Sequence, residues 1–592
     1  MERLSGLLRW LLLGLAVFLG MTYLPKLFGK SDAALQPLKP EATQAQPERN
    51  AEAFCTLEGP HFRAELGSHS AALRHFWLTD AKYQHKGQPI DLSTTPDLEQ
   101  HRQLFTQWRT PAAASLDDPS WQLPVDLFDW RLTESDGHHC VFEYQDASTR
   151  LRKEISVTAR PFELAVKTQI DNLASAPRRH AFALSSSEWR RTEEVHGGMF
   201  RVSPFMTHVE CVPQAGKTVR LAPEDFEPED FKGPAFTPTP IDAGDWYQMP
   251  TPPAVSAITN AYFTHALVPV SAPVLPTCQA LIEYRWDSSK HAKSSDDPLS
   301  GNLYRSRLAY PVQELAPGAS ATYDVLTYIG PKQRDALVAA GGGSTRLIEL
   351  LNLGFFAVRA GIIVVFLLKT YSLVHNWGLA IILLTLTARV LLFPLQVPSI
   401  RSMIKMRELK PEIDALNEKY KDDPQAKGLA QMELWRKHNV NPLKGCLPQL
   451  ASLPVWFALY TTLQTAVELY NIPFLWFPDL SAPDPWYVLP FVIGLTYFVQ
   501  QKLMPMQADP AQQKMMMYMM PAMFTVFMLF LPAGLGIYMF TNSVLGIMQQ
   551  QLVEWHARRG RTATANGPAI ATVEGLPRGP SSKRTSVRPK RG

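Results

Sequence analysis

The stretch GLAIILLTLTARVLLFPLQV, residues 378 to 397, decides the fold class of this chain. It is apolar over about 20 residues, the length that a helix needs to cross the hydrocarbon core of a bilayer. Arg389 interrupts this run with a permanent charge, which costs about 2.5 kcal/mol or more at the centre of a membrane helix. A charge at this depth usually marks a functional site. The stretch therefore predicts a membrane span and a site around Arg389.

Apolar segments flank a long polar middle region, so the fold class is a multi-domain membrane protein: a helical bundle of six spans plus a large all-β sandwich domain. The predicted segments are an N-terminal transmembrane anchor (1–30), a tether (31–54), the β domain (55–343), an interfacial amphipathic helix (344–375), spans at 376–398, 443–470, 486–504, 515–531 and 534–552, a helical hairpin (399–442) and a basic tail (553–592). A cleaved signal peptide is the alternative for the first segment, because small residues follow it.

The assignment of the apolar segment 347–374 fixes the side of the membrane on which each loop lies. If this segment crossed the bilayer, the basic tail would share a side with the large β domain. The tail after Val553 holds nine Lys and Arg residues against two acids, which marks a cytoplasmic side. We therefore predict that 347–374 lies flat at the outer interface, with Arg359 and Lys369 reaching water. Both termini are then cytoplasmic.

The polar middle region alternates apolar and polar residues with a period of two. Examples are RLRKEISVTA (150–159), FELAVKTQIDNL (162–173) and HAFALSSSEW (180–189). This alternation predicts β-strands, and many such strands with proline-rich connections predict a large β-sandwich.

Four of the five cysteines lie in this β domain: Cys55, Cys140, Cys211 and Cys278. If the domain lies outside the cytoplasm, they can form two disulfides in any of three pairings, among which the sequence does not choose. The motifs GHHC (137–140) and HVEC (208–211) match no common zinc spacing, so we predict no metal site.

The stretch 399–442 is polar but carries an apolar stripe at helical spacing. The stripe runs through Ile400, Met403, Met406, Leu409, Ile413, Leu416 and Tyr420, and it resumes at Leu429, Met432 and Trp435 after KDDP (421–424). The pattern predicts a helical hairpin whose apolar seams face each other. The hairpin is either a solvated connection between two spans or a docking element beneath the membrane site.

Polar residues on several predicted spans accompany Arg389. Thr385 lies one turn away on the same face, and the others are Thr461, Thr462, Gln464, Gln500, Thr525, Thr541 and Asn542. A lone hydroxyl in a membrane helix usually bonds its own backbone. Together with an arginine, however, these groups predict a shared wet cavity. The alternative is that the arginine only snorkels to the headgroups and stabilises orientation.

Nine short motifs follow one another between 345 and 557. They are NWG (376–378), TARVLLFPL (387–395), KMRELKPEI (405–413), NPLKGCLP (441–448), FALY (457–460), DPAQQKMM (509–516), FTVF (524–527), LPAGLGIY (531–538) and QQQL (549–552). In this order they resemble the YidC/Oxa/Alb family of membrane protein insertases. The anchor and large β insert resemble the Gram-negative members, which implies a five-helix membrane core, a periplasmic β-supersandwich and an inner-membrane location.

The resemblance implies a groove that opens to the cytoplasm and the lipid but is closed to the periplasm. The predicted groove residues are Arg389, Thr385, Gln464 and Tyr538, and the predicted hydrophobic slide for the substrate consists of Leu453, Pro454, Trp456, Phe527 and Phe530. The family has an aromatic pair on the sixth span, whereas this chain has Met539 after Tyr538. Only Tyr538 is therefore assigned a role.

The implied function is insertion of nascent membrane proteins, alone or with the Sec translocon. The ribosome, the signal recognition particle receptor and membrane lipids are further predicted partners. We predict no catalytic residue and no cofactor, because the chain lacks a Walker A loop, a G-x-S-x-G elbow and an H-E-x-x-H helix. A net charge of +4 is too small to suggest DNA. Two rivals are a small-anion transporter that uses Arg389 as ligand and a membrane-tethered carbohydrate-binding or carbohydrate-modifying protein that acts through the β domain.

Overall fold

The computed structural model divides the chain into two compact units, 1–390 with 449–543 and 391–448 with 544–592. The residues that the structure describes are 50–85, 87–95, 99–109, 129–191, 194, 203, 205–226, 246–285, 301–351, 357–420, 423–438, 462–463, 466–503 and 510–565. The predicted anchor, most of the tether and the end of the basic tail lie outside these residues.

The first unit contains a β domain, as the alternating sequence pattern predicts. Its strands are β1 (Phe54–Gly59), β2 (Phe62–Gly67), β3 (Ala72–Leu78), β4 (Gln84–His85), β5 (Gln88–Pro89), β6 (Phe105–Arg109), β7 (Arg131–Ser135), β8 (His139–Gln145), β9 (Thr149–Val157), β10 (Glu163–Asn172), β11 (Arg178–Arg191), β12 (His208–Pro213), β13 (Val219–Leu221), β14 (Tyr247–Gln248), β15 (Pro253–Thr259), β16 (Phe263–Ser271), β17 (Thr277–Arg285), β18 (Gly301–Leu315) and β19 (Ser320–Pro331).

Two antiparallel sheets form the main body of the β domain. The larger has nine strands in the order β13-β12-β15-β16-β19-β10-β9-β8-β7, and the smaller has five in the order β14-β17-β18-β11-β6. A three-stranded sheet, β1-β2-β3, adds to them. Alternate residues of β9, such as Leu151 and Ile155, are fully buried, as period-2 strands with one covered face require. The β-sandwich prediction is confirmed.

Two disulfides tie these sheets together. Cys55 on β1 pairs with Cys140 on β8, which joins the three-stranded sheet to the nine-stranded one. Cys211 on β12 pairs with Cys278 on β17, which joins the two main sheets. The structure thus selects one of the three pairings that the sequence leaves open.

A buried lysine gives the β domain a pH dependence that can be measured. The ammonium of Lys153 is completely buried and donates to the carbonyls of Ala71 and Leu104 and to the hydroxyl of Thr106. Burial lowers the pKa of Lys153 to about 7, whereas an exposed lysine has a pKa of about 10.4. Between these values the unfolded chain binds a proton that the folded chain does not, so folding stability rises with pH.

We therefore expect the stability difference between the native chain and a Lys153→Met variant to change with pH. The native chain should gain up to about 4 kcal/mol relative to the variant between pH 7 and pH 10. Denaturant unfolding of the β domain in the detergent-solubilised protein measures this difference at each pH. A difference that is flat across this range would show that Lys153 titrates as an exposed lysine does.

A short segment at the end of the predicted third span docks onto the β domain within the same unit. Val467 is fully buried in the core of the β domain. The ring of Tyr470 lies 5.3 Å from the ring of Tyr262 and 5.8 Å from that of Phe263, between centroids. The side-chain amide of Asn471 donates to two backbone carbonyls of the β domain. The segment 467–471 is therefore held against the β domain by packing and hydrogen bonds, in addition to the covalent connection through the polypeptide.

The third span was predicted to run to residue 470, but a 3₁₀ turn occupies Val467–Leu469. Glu468 lies in this turn, where burial raises the pKa of its carboxyl and the nearby ammonium of Lys82 opposes that rise. The α-helical geometry ends before Val467 because this segment packs into the β domain. Glu468 thus lies near Lys82 of the β domain at the C-terminal end of the predicted third span.

The α-helices of the described residues are α1 (Arg334–Ala339), α2 (Ala357–Val374), α3 (Trp377–Glu408), α4 (Lys410–Lys419), α5 (Pro424–Lys437), α6 (Val488–Leu503), α7 (Pro510–Met528) and α8 (Ala533–Ala565). Within α3, Trp377–Pro394 is long and apolar enough to span a membrane. Shorter apolar helical stretches are Val365–Val374, Val488–Leu503 and Met516–Met528. The predicted set of six spans is therefore matched only in part by the helices of the described residues.

The predicted interfacial helix was wrong at its beginning. The α-helix α2 begins at Ala357, while Leu347–Leu350 is a 3₁₀ turn. Leu347 and Leu350 are fully buried in the core of the β domain. Their apolar spacing reflects this burial and not a surface helix. Lys369 on α2 is exposed, and the flat orientation of α2 in a membrane stays a prediction.

The second unit contains the helical hairpin, formed by α4 and α5. Leu409 and Ile413 are buried and pack with Met406 and Leu434, which confirms an apolar seam. The predicted first helix from Ile400 to Tyr420 was wrong in its continuity. The span helix α3 runs on to Glu408, and α4 starts as a new helix with a proline in its first turn.

The stripe on the second helix of the hairpin was also assigned partly to the wrong face. Leu429 and Met432 are exposed, and Leu434 packs in the seam. The break at KDDP is confirmed, because Asp423 caps α5 by accepting hydrogen bonds from two backbone N–H groups of its first turn. Asp423 is therefore the N-cap residue of α5.

Candidate functional site

Arg389 on α3 contacts Asn542 on α8 through two hydrogen bonds. Its Nε donates to the side-chain oxygen of Asn542 at 2.7 Å, and its Nη2 donates to the backbone carbonyl of the same residue at 2.6 Å. Both acceptors are neutral oxygens, so these two bonds fix the guanidinium without cancelling its charge. We call this region the Arg389 site. It comprises Arg389, Asn542, Tyr538, Tyr497 and Phe524.

Two tyrosines are ionisable neighbours of Arg389. They are Tyr538 on α8, which was predicted as a groove residue, and Tyr497 on α6, for which the sequence offers no signal. Tyr538 and Met539 are both buried. The ring of Tyr497 stacks on that of Phe524 on α7 at 4.9 Å between centroids. The Arg389 site therefore draws side chains from α3, α6, α7 and α8.

A second polar contact between helices lies next to Asn542. The hydroxyl of Ser543 donates to the side-chain oxygen of Gln500 on α6 at 3.0 Å. By contrast, two of the threonines predicted to share the cavity donate to carbonyls of their own helices. Thr385 is buried and donates to the carbonyl of Ile381, and Thr525 donates to that of Pro521.

The remaining predicted site residues fall into two groups. Leu453, Pro454, Trp456 and Gln464 lie outside the described residues, so their roles stay predictions. Phe527 is partly buried against the membrane core cluster, and Phe530 is 40% exposed. A partly exposed ring suits a surface that meets substrate or lipid.

The N-terminal part of α3 and the part around Arg389 differ in packing. Trp377, Ile381 and Leu384 in the N-terminal part are buried in one apolar cluster. Closer to Arg389, Leu386 is 42% exposed and Val390 is 64% exposed. Among the described residues, no cluster of His, Cys, Asp and Glu could hold a metal ion.

Matches to known proteins cover most of the chain. Residues 55–366 match the family model of the YidC periplasmic domain, and residues 369–559 match that of the 60Kd inner membrane protein. The membrane protein insertase YidC of Anaeromyxobacter dehalogenans (strain 2CP-C) is 34% identical over 530 residues, which cover 86% of this chain and 86% of the relative. That of Shewanella amazonensis is 44% identical over 257 residues, or 43% of this chain and 47% of the relative.

Among solved structures, the chain has a weak likeness to that of an active YidC insertase with its first transmembrane domain resolved. It is 16% identical, covers 84% of this chain and 92% of its own, and has a TM-score of 0.35. The sequence matches are stronger, because they include a family model for each half and a relative aligned along most of both chains. The chain therefore belongs to the YidC family of membrane proteins with a periplasmic domain.

Proposed function

We propose that the chain inserts nascent membrane proteins into the bilayer and that Arg389 receives the polar or acidic end of the substrate. The observation that supports this most is the contact of its guanidinium with two neutral oxygens of Asn542. A neutral amide holds the side chain while its positive charge persists. An entering acidic tail is then attracted to Arg389, which lowers the barrier to its transfer.

The packing of α3 supports a groove that is closed on its outer side and open on its inner side. Trp377, Ile381 and Leu384 form part of a packed apolar layer, whereas Val390 is largely exposed. A densely packed layer leaves few voids for water. We therefore propose that substrate enters from the cytoplasmic side and leaves sideways into lipid, without a continuous pore.

Hydrophobic partition supplies the driving force in this proposal. Burying each CH₂ group of a substrate span contributes about 0.8 kcal/mol, and a span has about 20 mostly apolar residues. Met519 and Met523 on α7 are exposed, and methionine surfaces adapt to many apolar partners. The apolar part of the substrate would slide along this face while its polar end occupies the Arg389 site.

The cellular setting belongs to the same proposal. The matched family model is named for an inner membrane protein, which supports an inner-membrane location. The excess of basic residues in the tail supports a cytoplasmic side for the tail and the N-terminus. The tail is suited to attract ribosomal RNA by charge. The Sec translocon, the ribosome and the signal recognition particle receptor are the partners that we propose.

Reconstitution of the purified chain in liposomes tests the insertase function. We expect the chain alone to insert a small single-span protein with an acidic tail, measured as protection of that tail from protease. Empty liposomes and liposomes with heat-denatured chain are the controls. Equal protection in all three samples would refute insertion by this chain.

Deletion of 55–335 separates this function from action through the β domain. The deletion should carry Val467→Ser and Tyr470→Ser, because both side chains pack against the removed domain. We expect the shortened chain to keep most of its insertion activity. Complete loss by a well-folded shortened chain would favour the carbohydrate-binding rival, and uptake of a small anion without insertion would favour a transporter.

A further inference from the structure

The contact between Arg389 and Asn542 joins residues 153 positions apart in the sequence. A guanidinium has five N–H donors in a rigid fork, and Asn542 accepts two of them, through its side-chain oxygen and its backbone carbonyl. A two-point contact fixes both the place and the orientation of the fork. A flexible arginine side chain thus acquires one defined position between α3 and α8.

Asn542 is itself held in place by its neighbour. The side chain of Ser543 is almost fully buried, and its hydroxyl donates to Gln500 on α6. This bond ties α8 to a second helix one residue beyond Asn542. The acceptor that holds Arg389 therefore sits on a helix that is anchored at the same level.

The chemical nature of the acceptor matters as much as its position. A carboxylate at the same distance would form an ion pair with Arg389 and cancel its charge. An aliphatic residue at position 542 would remove the side-chain acceptor and keep the backbone carbonyl. An amide at position 542 provides a side-chain acceptor and adds no negative charge beside the guanidinium.

We propose that Asn542 is the positioning residue of the Arg389 site: it orients the guanidinium and preserves the charge that selects acidic substrates. This inference rests on the proposed function of Arg389. Asn542 acts through Arg389 and makes no chemical step of its own. Its effect should therefore appear in the preference for acidic over neutral substrate tails and not in insertion as such.

The Asn542→Asp variant tests the charge argument. The new carboxylate would lie near 2.7 Å from Nε of Arg389, where the amide oxygen lies now. We expect insertion of a substrate with an acidic tail to fall by about tenfold, as on loss of the arginine charge. Insertion of the same substrate with a neutral tail should stay within about twofold, since neutral tails gain little from the charge.

The Asn542→Ala variant tests the positioning argument through a double-mutant cycle. Loss of one bond to a charged group should reduce acidic-tail insertion about threefold to tenfold. In an Arg389→Ala background the same substitution should have no further effect, because a residue that acts only through another has nothing left to act on. An equal reduction in both backgrounds would show a separate structural role for Asn542 and overturn the inference.

Asn376→Asp is the matched control, since it makes the same chemical change elsewhere. The side chain of Asn376 accepts a hydrogen bond from the backbone of Leu379 at the start of α3, and aspartate serves equally well there. We expect this variant to insert both substrates normally. If Arg389→Ala lowers acidic-tail insertion while both Asn542 variants insert normally, the inference alone fails. If Arg389→Ala has no effect, the proposed function of Arg389 fails as well.

Discussion

Replacing Arg389 with alanine is expected to reduce insertion of substrates with acidic tails by about tenfold or more. Two unit charges 4 Å apart attract each other by about 4 kcal/mol near a protein surface, and even a third of that attraction corresponds to a tenfold change. Substrates with uncharged tails should lose far less. The measurement is the protease-protected fraction of matched substrates in proteoliposomes.

Arg389→Lys should retain most of the activity, because an ammonium keeps the positive charge. Some loss is expected, since lysine is a point charge that cannot reproduce the two-point contact with Asn542. The order of activity should therefore be arginine, lysine, alanine for acidic tails. Equal insertion by the alanine variant would remove the charge from the mechanism.

Removing the disulfide between the two main sheets should strongly lower the folding stability of the β domain. The loop closed by Cys211 and Cys278 has a sequence separation of 67 residues. Loss of a disulfide that closes a loop of this size typically costs about 2 to 4 kcal/mol of folding stability. We expect a Cys211→Ala, Cys278→Ala variant to unfold its β domain at a clearly lower denaturant concentration than the native chain.

Cys446→Ser provides the control for this experiment, because it changes the one cysteine outside the two bridges. This variant should leave the unfolding of the β domain unchanged. The native chain under reducing conditions should resemble a chain without bridges. An unfolding midpoint that is the same with and without Cys211 and Cys278 would contradict the role given to the bridge.

Local patterns in the sequence predicted the strands and the apolar helix that carries Arg389. The alternation in 150–159 and 162–173 corresponds to β9 and β10, because burial between sheets imposes a period of two. The disulfide pairing was not predictable in this way. It depends on which strands become neighbours, and Cys55 finds its partner 85 residues further along the chain.

The side-chain contacts within the Arg389 site were also not predictable from local sequence patterns. Thr385 was expected to share a cavity with Arg389 because it lies one turn away, yet its hydroxyl donates to the carbonyl of Ile381. Asn542 stood among several polar residues, and nothing in its local sequence marks it as the acceptor for Arg389. Periodicity also identifies an apolar face without showing what covers it, which is why Leu429 was assigned to the hairpin seam but is exposed.

Access of water to position 389 from one side of the membrane is the most direct test of the account. In a Cys446→Ser background, an Arg389→Cys variant should react with a membrane-impermeant thiol reagent only when the reagent is on the cytoplasmic side. A Leu373→Cys variant at the end of α2, where the side chain is 81% exposed, should react only from the opposite side. Reaction at position 389 from the periplasmic side, or from neither side, would contradict a wet groove that is closed above the arginine.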